Sequence, residues 1–186
     1  MRKILTIVSV FFMILIITGC GAAKLSPAKQ ALIDNKTTLY TQVTMWSDKG
    51  KVSGTNYSVS SLIPINSKVQ ILSVGSSSIL FDVNGQTLKY DVVSKYTKID
   101  SAQMLDRLFG KNTIDLSKYS QKNQTNIIEG IVARGMSKEE VLLARGYPPF
   151  HETASTEENT WKYWRNRWTT GTVTFKDNIV SRSSVR

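Results

Sequence analysis

The sequence predicts an α+β protein in which a small all-β unit precedes a unit of two helices and a three-stranded antiparallel sheet. Three observations predict it. Short runs rich in β-branched and aromatic residues follow one another from Thr37 to Asp100 with no helical period between them. Asn84-Gly85 separates two alternating runs, and Asn-Gly best accepts the positive φ that a two-residue hairpin turn needs at both centres. Near the C-terminus, start and stop signals bracket a helix from Lys138 to Arg145, and three strand-like runs follow it.

Residues 1–19 read as a leader and stand outside the fold. Arg2 and Lys3 precede an apolar run from Ile4 to Ile17 that is interrupted only by Thr6 and Ser9. That run has the length of a signal-peptide core and falls short of the roughly 20 apolar residues of a membrane span. Ile17-Thr18-Gly19-Cys20 resembles the bacterial lipobox. The resemblance implies cleavage before Cys20, a thioether from its sulfur to diacylglycerol, and at least two acyl chains (palmitate or similar), enough for slow release from a membrane. Cys20 is the sole cysteine, so lipidation also removes a thiol that has no pairing partner within the chain. Gly21 stands where an aspartate would signal inner-membrane retention. The expected location is therefore the periplasmic leaflet of a cell outer membrane, or the outer face of the membrane in a bacterium with only one. Residues 20–36 are small and polar and read as a flexible tether reaching about 20 Å.

The formal charge of +10 drops by two when Arg2 and Lys3 leave with the leader. For an exported chain this excess disfavours nucleic acid as a partner and favours anionic lipid or acidic protein surfaces. His151 is the single histidine and the single thiol is assigned to lipid, so no metal site or cofactor is expected.

The all-β unit is expected over residues 37–100. Its features are an aromatic first strand (Leu39 to Trp46), the turn Ser47-Asp48-Lys49-Gly50, Leu62-Ile63-Pro64-Ile65 leading into Lys68-Val69-Gln70-Ile71, and the Asn84-Gly85 hairpin. On these features the segment resembles the Src-homology-3-like (SH3-like) barrels of bacterial envelope proteins. The region 101–126 reads as a short helix, capped by Ser101 with Met104, Leu105, Leu108 and Phe109 on one face, and then a polar linker.

The last unit is expected over 127–186. Ile127, Ile128, Ile131 and Val132 fit one helix face ending at Gly135. Ser137 and Glu140 form the S-x-x-E capping box of the next helix, Arg145 suits the negative end of its dipole, Gly146 suits a left-handed cap, and Pro148-Pro149 forbids continuation. Strands are expected over Trp161 to Asn166, Thr172 to Phe175 and Ile179 to Ser183, with a turn at Lys176-Asp177-Asn178. Gly135-Met136-Ser137-Lys138-Glu139-Glu140-Val141, Arg145-Gly146-Tyr147-Pro148-Pro149, Trp161-Lys162-Tyr163-Trp164 and Val173 to Val180 together resemble the SmpA/OmlA family, the BamE-type lipoproteins of the outer-membrane β-barrel assembly machine. Departures are Ser137 for threonine, Ala144-Arg145 before the glycine, Asn178 for glycine, and a whole β unit between anchor and match. The resemblance implies a BamE-like fold and a binding role among envelope proteins; it carries over no binding residue.

Three binding surfaces follow from residue type. Trp164, Arg165, Arg167 and Trp168 combine aromatic and guanidinium groups on one strand and its end, the anchor chemistry of protein interfaces. Tyr40, Trp46 and Tyr57 are the aromatics through which the SH3-like unit would bind peptidoglycan, the alternative function. A basic sheet would also meet anionic lipid directly. No Gly-x-Ser-x-Gly elbow, phosphate loop or facing carboxylate pair appears, and the expected protein is a lipid-anchored envelope scaffold rather than an enzyme. Labelled palmitate is expected to enter the protein in bacterial cells and to be lost in Cys20→Ala, which should leave the detergent phase on phase partition.

Overall fold

In the computed structural model, residues 21 and 23–185 are described; Cys20 and the leader 1–19 lie outside the described residues. The α+β class holds. One curled six-stranded half-barrel and one separate three-stranded sheet each build their own apolar core.

The first unit begins earlier than its composition suggests. Residues 27–34, expected as part of a flexible tether, form α1 (Pro27–Asp34), because Ser26 accepts a hydrogen bond from the Lys29 backbone and Pro27 presets the first helical φ. Leu25, Leu32 and Ile33 pack against the first core, and Lys29 Nζ reaches Asp106 at 2.6 Å. The half-barrel runs β3 (Lys51–Ser53), β7 (Gln86–Asp91), β6 (Ser78–Val83), β5 (Lys68–Gly75), β1 (Thr38–Thr41) and β8 (Phe109–Gly110). Only β3 against β7 is parallel. Asn84 and Gly85 take φ of 54° and 78° in the expected hairpin turn. A two-stranded ribbon, β2 (Met45–Ser47) with β4 (Ser61–Ile63), stands beside this sheet.

The region 101–126, expected as a short helix and then a linker, holds that helix and a loop, but its last residues already belong to the next helix. After α2 (Ser94–Thr97), α3 (Ser101–Leu108) is capped by Asp100 rather than Ser101, in a box with Gln103. Met104, Leu105, Leu108 and Phe109 all enter the first core, with Phe109 on the edge strand β8. Asn66 then holds the following loop by a reciprocal pair of bonds to the Ile114 backbone at 2.9 and 2.7 Å.

The second unit comprises α4 (Gln121–Glu129), α5 (Lys138–Arg145) and the meander β9 (Thr160–Trp164), β10 (Thr170–Lys176), β11 (Ile179–Ser183). The helix expected from 127 to Gly135 instead starts at Gln121 under a Ser120 cap and stops at Gly130, which takes the left-handed conformation (φ 69°). Ile127 and Val132 are buried while Ile128 and Ile131 are exposed, because the chain leaves helical phase between them. The Ser137–Glu140 box forms as expected, with Ser137 N donating to Glu140 Oε2 at 2.6 Å and Glu140 N to Ser137 Oγ at 3.2 Å. Asp177 and Asn178 both take positive φ at the last turn. Trp161 and Tyr163 point into the core with Val173, Phe175 and Val180.

Gly130 is required twice over. Beyond its positive φ, a Cβ there would lie 2.3 Å from Trp46 Cζ2. Gly130→Ala should therefore lose roughly 2–4 kcal/mol, the sum of left-handed strain and overpacking. Urea unfolding checks this, and in a Trp46→Ala background the loss should fall to the strain alone, about 1–2 kcal/mol.

Candidate functional site

The two units meet along a polar seam. A helix leaves its last four carbonyls without intrahelical donors, and here the C-terminal ends of α4 and α5 point at the first unit. Thr44 Oγ1 donates to Ile127 O at 2.7 Å, and Thr44 N to Leu143 O at 2.8 Å. Asn56 Nδ2 donates to Arg145 O at 2.7 Å and to Thr44 O at 3.2 Å. Both residues are buried, so each bond replaces a water contact that the buried carbonyl has lost. Ile65, from the first unit, packs into the second core.

Beyond Gly146 the chain crosses this seam as Tyr147-Pro148-Pro149-Phe150, tied by Phe150 N donating to Tyr96 O at 2.7 Å. Pro148 and Pro149 are buried; Tyr147 and Phe150 are 43% and 40% exposed. Under the prolines lies a small, mostly apolar cavity of about 30 Å³ between Val43, Met45, Tyr90, Met104 and Leu108. Outside them opens a groove of about 280 Å³ between Thr97 and Arg107 on one wall and Tyr147, Phe150 and Ser155 on the other. Each exposed ring carries a cation: Arg107 lies 4.1 Å from the Tyr147 ring centre and Lys98 5.4 Å from that of Phe150. The lining is otherwise mostly hydroxyl-bearing (Thr97, Thr153, Ser155, Thr156), so the groove offers two ring faces and the Arg107 charge among hydrogen-bonding groups, suited to an extended chain bearing carboxylates.

The residues singled out in the sequence are distributed differently. Trp164 is half-buried beneath the returning loop: His151 stacks near it at 6.3 Å and Tyr96 lies 4.4 Å beyond. Glu152 of the same loop pairs with Lys162 at 2.7 Å on that face of β9. Arg165 is exposed, and Arg167 lies 4.5 Å over Trp168, which is 78% exposed at the β9–β10 hairpin tip. Trp164 thus belongs to the seam and Trp168 to the tip. Tyr40 lies on β1, opposite Lys68 and Gly110. Trp46 and Tyr57 line a separate groove of about 210 Å³ with Asp48, Lys51 and Asp91, so the structure joins two of the three aromatics and leaves Tyr40 apart.

Tyr147, Phe150, Arg107 and Lys98 went unread in the sequence. The available signal was two aromatics flanking a proline pair, an apolar stretch with neither helical nor strand period. Arg145 was read as a dipole partner and as part of the family motif, yet it is 0% exposed. Its guanidinium lies 4.3 Å from the Trp46 ring centre and 5.8 Å from that of Tyr163. Cation–π contact supplies about 2 kcal/mol when desolvated, less than the several kcal/mol lost on burying an ion. Burial accordingly pushes Arg145 down to about 10, and burial raises the phenols of Tyr163 and Tyr90 well above the ordinary tyrosine value.

These groups set an alkaline limit. Tyr90 and Tyr163 stay protonated when folded at pH values where unfolded tyrosine ionises, so each removes stability as pH rises above about 10. Both phenols act in the same direction, so stability falls as pH rises above about 10. Urea midpoints at stepped pH should show it, and Tyr90→Phe should remove about half of the alkaline loss. Compared with family models, curated proteins and solved structures, the chain matches none.

Proposed function

We propose that this chain is a lipid-anchored envelope binding protein that takes an extended, acidic segment of a partner protein into the seam groove. The observation that carries the reading is the pair of exposed rings, Tyr147 and Phe150, each beside a cation and mounted on the buried Pro148-Pro149 segment. Ligand sites favour junctions between units because two walls there converge without either core being opened. Buried prolines also hold the rings at low entropic cost, which improves binding.

The finer reading treats residues 127–186 as a BamE-like unit and 37–100 as an SH3-like barrel. Two helices on a three-stranded meander and a curled antiparallel sheet support it; the parallel strand β3 and the added edge strand β8 depart from it. On that reading the partner is an envelope protein, in a bacterium with two membranes a component of the β-barrel assembly machine, and lipid on Cys20 places the protein at the periplasmic face of the outer membrane. The second reading, peptidoglycan binding, is favoured by the Trp46–Tyr57 groove.

Affinity purification from gently crosslinked cells separates the two. Recovery of a β-barrel assembly component should fall at least tenfold in Tyr147→Ala/Phe150→Ala, the loss of about 1.4 kcal/mol or more, while Trp168→Ala retains it. Unchanged recovery in the double variant would remove the groove from the proposal. Sedimentation with purified cell wall that depends on Tyr57 would favour the second reading.

A further inference from the structure

Arg145 carries a charge into the interior and finds no carboxylate there among the described residues. Its Nε, Nη1 and Nη2 atoms are buried and have no hydrogen-bond acceptor among the described residues. The helix-end carbonyls near it are already engaged: Leu142 O by Gly146 N, Leu143 O by Thr44 N, and its own by Asn56 Nδ2. Three buried donors on one ion are the polar groups a protein least tolerates unpaired.

The side chain lines a small, largely enclosed cavity of about 20 Å³. The other walls are Arg165, Tyr163, Thr170, Gly171 and Ser184, with Val185 completing them; no acidic side chain lines it. Tyr163 contributes its ring, since its hydroxyl donates to Gly146 O at 2.9 Å. Gly171 lets the chain at 184–185 close the wall: a Cβ there would lie 2.9 Å from Ser184 O. Among the described residues the charge lining the cavity is wholly positive, and its space exceeds the roughly 10–15 Å³ that one water-sized group needs. That space matches a single small ion more closely than a tetrahedral oxyanion.

We propose that this cavity binds a small monovalent anion, of halide or formate size, held by the Arg145 guanidinium with Arg165 at the mouth. The anion supplies the missing acceptor and neutralises the buried cation, so occupancy stabilises the packing of α5 on β9 and on Trp46.

The test is the melting temperature of the lipidated full chain in non-ionic detergent, at constant ionic strength, with sodium gluconate replaced stepwise by chloride, bromide or formate. A saturable rise is expected, reaching about 5–10 °C at a hundredfold excess over Kd, with sulfate giving none. Arg145→Met should abolish the rise. Arg165→Ala, which changes only an exposed side chain, should fold normally and shift the midpoint to roughly tenfold higher anion concentration. An equal rise in sulfate, a full response in Arg145→Met, or no response to any small anion would overturn the proposal.

Discussion

The fold depends on where two helices end. α4 and α5 finish inside the protein, and their terminal carbonyls meet the first unit rather than solvent. A buried carbonyl without a donor costs about 1–3 kcal/mol, so the second unit needs Thr44 and Asn56 beside it. Those two side chains also depend on their own surroundings. Ile65 N donates to Thr44 Oγ1 at 3.1 Å, and Trp46 N to Asn56 Oδ1 at 3.3 Å. The ribbon β2–β4, the Gly54-Thr55 turn that leads into Asn56, and the ends of both helices are therefore one hydrogen-bonded body.

That seam explains why the chemistry gathers there. With α5 stopped against Asn56, the chain has to leave along the surface of the first unit, and Pro148-Pro149 holds it extended as it does so. The rings of Tyr147 and Phe150 are then exposed beside Arg107 and Lys98, which come from a different part of the sequence. The same stop places Arg145 between Trp46 and Tyr163, where solvation is lost and only π-faces remain. A groove with fixed cations and a buried cation with open donors both arise from one junction.

Local features were legible because their causes are local. The Ser137–Glu140 box, the Asn84-Gly85 turn and the turn at Asp177-Asn178 are decided within four residues by side-chain hydrogen bonds or tolerated φ. The three-stranded meander followed from alternation, which put Trp161 and Tyr163 on one face without saying which face is buried; packing made it theirs. The boundaries of α4 were misread because Ile127, Ile128, Ile131 and Val132 mimic a helical stripe, whereas Gly130 breaks it to let Trp46 approach. The segment before Thr37 looked like tether because α1 has few apolar groups, and its order comes from packing on a sheet formed later in the chain.

By itself, then, the sequence determined the α+β class and the caps and tight turns, which depend on residues adjacent in the chain. Only the tertiary structure decided that the two units form one seam, that Trp164 is covered while Trp168 is free, and that Arg145 is buried without an acceptor. Those outcomes rest on contacts such as Thr44 with Ile127 and Trp46 with Arg145. A residue's partner across such distances is set by how whole surfaces pack, and neither periodicity nor spacing encodes that.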